Sequence, residues 1–350
     1  MTTLSGRSLD LELTRRCNLR CDYCFVGWSR GWTGDLPMEL ARQIITEGRG
    51  RFPVLHFTGG EPFVYRGLLE LIDLGIAQGY GDIVINTNGT LVDAEWVSQL
   101  SKRAAHVRIT VSLDGPQPLH DAVRGPGSFE RSSQTVSQLL EAGVPTTVMT
   151  VVTRTVLDGL SAFLSSLAER HPRLSGVTLF PVGVGGSGTH KPKAIVHSLT
   201  PDDVRELALK VVFADKQGLR VGVGAYPIIN PLLQALGYPE ERLYACTAGR
   251  GRVCVHSDLS VSPCHPVKEA VYGAWRSGLF DTIPGLAAHR QFATRDFAGC
   301  RTCSRKEACG NCRAFVTAAG APLMGNDEVC DEILADVPER PEQPAQAAVP

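Results

Sequence analysis

The chain has 350 residues, 43% of them hydrophobic, and a formal net charge of −1. That suffices for one large α/β core and a smaller second one; no basic stripe marks a nucleic-acid or membrane surface, so neither partner is expected. The first residues, MTTLSGRSLDLELTRR, lack the apolar centre of a signal peptide, and no apolar run approaches the roughly 20 residues that span a bilayer, so the expected compartment is the cytoplasm.

The first half alternates short apolar runs with helical patterns. Strand-like segments fall at 8–14, 54–58, 82–87, 106–115, 146–153 and 176–184. Between them, helical periodicity covers 36–50, with Pro37 in the first turn, then 66–79, 92–103, 128–143 and 157–170; Ser128 is a candidate N-cap and Gly143 a stop. Strand–helix alternation at this spacing means right-handed βαβ units and a parallel sheet. Six repeats by residue 185 suit a barrel, complete or not, better than a doubly wound sheet, although pattern alone does not separate them. Segment 186–200 is Gly- and Lys-rich and reads as a loop, and 200–218 as a capped helix. Beyond 245 the regular pattern breaks up. The Pro/Ala-rich end carries no core pattern and is expected to be disordered. The resulting division is 1–185, a bridging segment 186–245, a cysteine-rich domain 246–333 and a tail 334–350.

Eleven cysteines are unevenly placed: three at 17–24, none from 25 to 245 and eight from 246 to 330. A disulfide scaffold is usually small and secreted, so metal or cluster ligation is the better reading. Cys17, Cys21 and Cys24 follow the first strand with spacings of three and two. A zinc site would need a fourth ligand, for which Asp22 or His56 is nearest. An iron–sulfur cube with three protein ligands would instead leave one iron open. GGEP (59–62), NTNG (86–89) and SLDG (112–115) also follow strands, at the edge where parallel α/β folds build their sites.

CNLRCDYC (17–24), with Tyr23 before the third cysteine, resembles the CxxxCxxC signature of radical S-adenosylmethionine (SAM) enzymes. TGGEPF (58–63) resembles that family's GGEP motif. SLDGP, HDAVRG and GSF within 112–129 resemble its SPASM branch. The resemblance spans about residues 8–333 and implies a partial (β/α)6 TIM-like barrel followed by a small SPASM domain. It also implies a 4Fe–4S cluster on Cys17, Cys21 and Cys24 whose open iron chelates SAM. Reductive cleavage then yields a 5′-deoxyadenosyl radical that takes hydrogen from a substrate carbon. By the same resemblance, Gly59, Gly60 and Glu61 meet the SAM amino group. Ser112 lies near the ribose or carboxylate, Arg124 pairs with the carboxylate, Asn88 borders substrate or ribose, and Val182-Gly183 contacts adenine. Asp114 and His120 read equally well as turn and capping residues.

The eight later cysteines suffice for two filled clusters, and two four-cysteine zinc sites fit the spacing as well. The SPASM resemblance implies two auxiliary 4Fe–4S clusters, one on Cys246, Cys254, Cys264 and Cys312, the other on Cys300, Cys303, Cys309 and Cys330. Two features depart from the pattern. Leu259 stands where a glycine is usual five residues before Cys264, and two residues rather than three separate Cys309 from Cys312. The first departure leaves room for altered ligation. An auxiliary cluster would serve as a sink for the second electron of a net oxidation.

Sulfatase-maturing relatives carry an aspartate base after the cysteine matching Cys264. Here that position is His265, which disfavours sulfatase maturation and offers an imidazole as a candidate base, a plain loop histidine being the alternative. The cluster motif begins at residue 17, so no leader-peptide domain is expected ahead of it; a peptide substrate would need a separate recognition protein or capture by 186–245. A ribosomal peptide and a sugar, aminocyclitol or nucleoside intermediate are equally compatible. Oxidative modification is the favoured reaction, with redox-neutral epimerisation or decarboxylation as the alternative. By family analogy the electron donor is a ferredoxin or flavodoxin. A non-catalytic multi-cluster electron carrier would explain the cysteines but not GGEP or SLDG.

Overall fold

The computed structural model describes residues 7–24, 26, 34–181, 199–224, 226–243, 248, 251–265, 272–283, 333–334 and 337. Six parallel strands follow one another in space as in sequence: β1 (Ser8–Thr14), β2 (Val54–Gly59), β3 (Asp82–Thr87), β4 (Val107–Ser112), β5 (Thr146–Val152) and β6 (Val177–Pro181). An order without a switch point is the winding of a barrel, not of a doubly wound sheet. The fold is α/β, as the strand–helix alternation predicts.

Helices α1 (Met38–Gly48), α2 (Leu68–Ala77), α3 (Ala94–Ser101), α4 (Gln117–Arg124), α5 (Ser128–Glu141) and α6 (Arg154–Arg170) fill the connections. Each strand alternates its two faces. Leu9, Leu11 and Leu13 on β1, Ile83 and Ile85 on β3, and Val107, Ile109 and Val111 on β4 are fully buried in one core cluster with Ile44, Ile45, Leu71 and Leu139 of the helices. The alternate positions carry polar groups: Asp10, Glu12 and Thr14 on β1, Asn86 on β3, and Thr110 and Ser112 on β4. They form the inner face of the barrel. Asp93 caps α3 by accepting from Trp96 N and Thr153 caps α6 by accepting from Val156 N, each contributing about 1 kcal/mol.

The structure differs from the sequence expectation in four places. Residue Gly127, not Ser128, is the N-cap of α5; Asp121 supplies the capping carboxylate, accepting from Gly127 N and Phe129 N at 3.1 and 2.8 Å. Helix α4 occupies a stretch left unassigned after the fourth strand. The bridging segment extends the sheet: α7 (Pro201–Lys216), opened by a reciprocal Thr200–Asp203 capping box, leads to β7 (Val221–Val223) beside β6, followed by α8 (Asn230–Ala235). The cysteine-rich region starts as part of the same sheet, because β8 (Arg252–Val255) runs parallel to the free edge of β1 and β9 (Val261–Ser262) pairs antiparallel to β8. A short helix α9 (Leu279–Thr282) packs Phe280 edge-on against Phe52. Leu334 and Val337 are buried, so packed chain continues beyond residue 333. Val182-Gly183, the loop 186–198, Cys246, Cys300, Cys303, Cys309, Cys312, Cys330 and the end of the tail lie outside the described residues.

Candidate active site

The site starts from a backbone contact. As the chain leaves β1, Thr14 O accepts from Gly60 N at 2.6 Å and Arg16 O accepts from Glu61 N at 2.9 Å. Nothing larger than glycine fits between these strands. A Cβ on Gly59, whose φ is +146°, would fall 2.3 Å from Thr14 O, and one on Gly60 would fall 2.2 Å from Arg16 O. The GG pair thus lets β2 clamp the root of the cysteine loop.

Glu61 then joins two strand ends. Its carboxylate is buried and accepts from Asn88 N at 2.7 Å, Thr87 Oγ1 at 2.8 Å and Phe63 N at 3.1 Å. Burial pushes this carboxyl up to about 7, against the pull of those donors and of Arg124. Here the Glu61 side chain acts as a strut between β2 and β3. Asn88, fixed through its own backbone, extends its amide toward Cys17 Sγ at 3.8 Å and donates to Asn18 Oδ1 at 2.9 Å.

The β4 end supplies the other wall. Asp114 is fully buried and takes both the guanidinium of Arg124 and the hydroxyl of Tyr23; its second oxygen accepts from Val151 N at 2.8 Å. Arg124 lies 5.9 Å over the Tyr23 ring and points Nη1 at Cys21 Sγ, 3.9 Å away. His120 Nδ1 accepts from Asp114 N at 3.1 Å, and burial lowers that imidazole to about 4, so it is neutral. Asp114 is therefore an ion-pair anchor, and His120 holds its backbone. Ser112 is buried at the end of β4.

The loop itself carries Cys17, Cys21 and Cys24, none of them in a disulfide. Cys17 is exposed as a residue, yet desolvation around its sulfur pushes the thiol up to about 12, with nearby Glu61, Cys21 and Cys24 raising it further while Leu19 N–H opposes. Cys21 is raised by burial too, with Arg124 opposing. A loop whose Cys17 and Cys21 thiols resist ionisation without a counter-charge suits a cation that displaces their protons. The donor set thus fits a thiolate-held cluster, with N–H groups of Leu19, Asn88 and Arg124 directed at its sulfurs. Of the two candidate fourth ligands for a zinc site, His56 is engaged elsewhere, 3.5 Å from Asp10 on the inner face.

A second group of side chains lies where β8 and β9 meet β1. Glu12, fully buried, accepts from Arg15 Nε at 2.7 Å and Ser257 Oγ at 2.9 Å through Oε1; its Oε2 lies 2.6 Å from His265 Nε2 and 3.3 Å from His256 Nδ1. Cys254 and Cys264 are buried beside them. Glu12 and His256 are not evident from motifs. The signal was the alternation in SLDLELT, which puts acids at every second position of a strand and hence on one face.

Comparison with known proteins agrees with this geometry. Residues 11–161 match the model of the Radical SAM superfamily. The AdoMet-dependent heme synthase of Oleidesulfovibrio alaskensis is 36% identical over 93% of this chain and 87% of its own length. Mycofactocin maturase MftC of Mycobacterium ulcerans is 30% identical over 92% of this chain and 87% of its length. Among solved structures, Streptococcus suis SuiB bound to the precursor peptide SuiA superposes with a TM-score of 0.72 at 18% identity, covering 93% of this chain and 76% of that one. Among the described residues, no helix is long and apolar enough to cross a membrane. With three thiols on the loop after β1, the GGEP clamp and full-length relatives of this kind, the chain belongs to the radical SAM superfamily of enzymes.

Proposed function

We propose that this enzyme modifies a peptide, or a compact intermediate of similar polarity, in natural-product biosynthesis by abstracting hydrogen from a C–H bond. The observation that carries the reading is the convergence of three strand ends on one three-thiol loop: Gly59, Gly60 and Glu61 from β2, Asn88 from β3, and Ser112, Asp114 and Arg124 from β4. Cys17, Cys21 and Cys24 would hold a 4Fe–4S cluster. Bound there with SAM, it supplies one-electron cleavage of the sulfonium and hydrogen-atom abstraction. The backbone of Gly59-Gly60 offers polar groups to the SAM amino end without steric cost. Arg124, already committed to Asp114, presents a fixed positive charge beside Cys21 for the SAM carboxylate, and Val182 would border adenine.

The inner face supports a polar substrate: Asn86, Arg108, Thr110, Thr147 and Thr178 line it at partly exposed positions of β3 to β6. The relation to MftC and the fold shared with a peptide-bound protein favour a peptide. The heme synthase relative at 36% identity favours a second reading, a small heme-related substrate. Cys254 and Cys264 would contribute to an auxiliary cluster with cysteines from later in the chain, and a ferredoxin or flavodoxin would deliver the first electron.

The test is anaerobic. The reconstituted, reduced protein with SAM should release 5′-deoxyadenosine and methionine, and Cys21→Ala should abolish this. An intact cluster that leaves SAM uncleaved would sink the reading. Deuterated peptide and small-molecule candidates then identify the substrate class by transfer of label into 5′-deoxyadenosine.

A further inference from the structure

Helix α7 (Pro201–Lys216) buries one face and leaves another bare. Val204, Leu207, Ala208, Val211 and Val212 are buried, and Asp203 ties the first turn to Arg154 of α6. On the other side, Leu209 and Phe213 are 56% and 55% exposed, the two most exposed large apolar side chains among the described residues. They stand about one turn apart, so the two side chains adjoin. We propose that α7 pairs antiparallel with α7 of a second copy of this chain, about a two-fold axis, to make a weak homodimer. The proposal goes beyond the SAM reading and does not rest on it.

The choice of a second copy comes from the order of charges. Asp202, Glu206, Leu209, Phe213 and Lys216 follow one another at steps of four, three, four and three. That spacing keeps one stripe of a helix facing a neighbouring helix. The stripe is acidic at its start, apolar at its centre and basic at its end. Laid antiparallel on itself, with the axis between Leu209 and Phe213, it sets Leu209 against the partner's Phe213. It also sets Glu206 against the partner's Lys216, and symmetry repeats each contact. Parallel pairing would put acid on acid. A foreign partner would account for the two apolar residues but not for the change of sign along the stripe. The charges are available: the Glu206 side chain is 41% exposed although it pairs with Lys210 of its own helix at 3.1 Å, and Lys216 is exposed. The helix is also a firm platform, because the Thr200–Asp203 capping box fixes its first turn. Two half-exposed apolar residues per copy make a small seam, at the low end of specific interfaces, so the dimer is weak and concentration-dependent.

The experiment is sedimentation velocity of the full, reconstituted chain under anaerobic conditions, across a micromolar concentration series. The parent should pass from monomer to dimer as concentration rises. Leu209→Glu/Phe213→Glu should stay monomeric throughout, with unchanged circular dichroism and melting, because both side chains already face solvent. Glu206→Lys and Lys216→Glu should each weaken association by roughly 5- to 10-fold, and the two combined should restore it, since the swapped charges again face opposite signs. A photoreactive phenylalanine analogue at position 209 should crosslink to the peptide containing Phe213 of an isotope-labelled second copy. A parent that is monomeric at every concentration overturns the proposal, whether or not another protein binds α7. So does a dimer that survives Leu209→Glu/Phe213→Glu. Failure of the charge swap to restore association, or a crosslink to another part of the chain, overturns the antiparallel pairing.

Discussion

Strand β1 ends in the three-thiol loop and borders the Glu12 group, and the two are built on opposite principles. The cysteine loop after Thr14 is fixed mainly by backbone: Gly60 N and Glu61 N clamp Thr14 O and Arg16 O, and glycine is required because the chains nearly touch. The Glu12 group is fixed by side chains, one carboxylate serving Arg15, Ser257, His256 and His265. Backbone clamps tolerate change in what they present but not in the clamp. A side-chain hub concentrates its dependence on one residue.

That difference orders the expected effects. Glu12→Ala should be the most damaging, because it strands a buried arginine and two buried histidines without their acceptor; a loss of about 3–5 kcal/mol is expected, read by chemical denaturation. Gly60→Ala should follow, costing up to about 3 kcal/mol for overpacking against a carbonyl that cannot retreat. Its iron content at Cys17, Cys21 and Cys24 should fall with the stability. If Gly60→Ala proved the worse of the two, the contrast between hub and clamp would be wrong.

The same contrast explains what was legible in the sequence. Clamps leave motifs, because the glycines, Glu61 and Pro62 are contiguous and stand next to a strand, so the site on β1 to β4 could be read along with the six βα units. Hubs do not: Glu12 meets partners at 256, 257 and 265, and no local pattern links them. Helix α4 escaped notice for a related reason. Its sequence QPLHDAVR has only eight residues, and it buries His120 and Arg124, so its apolar face, Leu119 and Val123, is too short to register as a helical period. Strand β7 has three residues and β9 two, too short for alternation to register.

Glu61 sharpens the comparison from within the clamp, since it is the one buried charge there shared between strands. Burial raises its pKa in the folded chain to about 7 from the ordinary value of 4.5. Between those values the folded state holds a proton that the unfolded chain releases. Stability should therefore be greatest below about pH 4.5 as far as this group is concerned, decline as pH rises, and level off above about 7. The span is at most roughly 3 kcal/mol. Glu61→Gln should flatten that slope in denaturation curves across the interval, and an unchanged slope would assign it to other groups.

The smallest effect tests a residue at the turn joining β8 to β9, next to the hub. Leu259, which stands where the SPASM pattern favours glycine, has φ of +67°. The turn is closed by Leu259 N to His256 O and His256 N to Ser260 O, both 2.9 Å, and Asp258 caps Ser260 N at 3.0 Å. These bonds fix the residue in the left-handed region, where an L side chain costs about 1–2 kcal/mol. The Leu259 side chain partly offsets this by packing on the core. Leu259→Gly alone would mix both contributions, so the informative comparison is Leu259→Gly with Leu259→Ala. Both lose the packing, and only alanine keeps the backbone strain. Glycine should be the more stable by about 1 kcal/mol, after allowing for its greater freedom in the unfolded chain. This turn carries Ser257 and Asp258 to the Glu12–Arg15 pair, so if alanine proved as stable as glycine, the turn's hydrogen bonds would not be what holds residue 259 in the left-handed region.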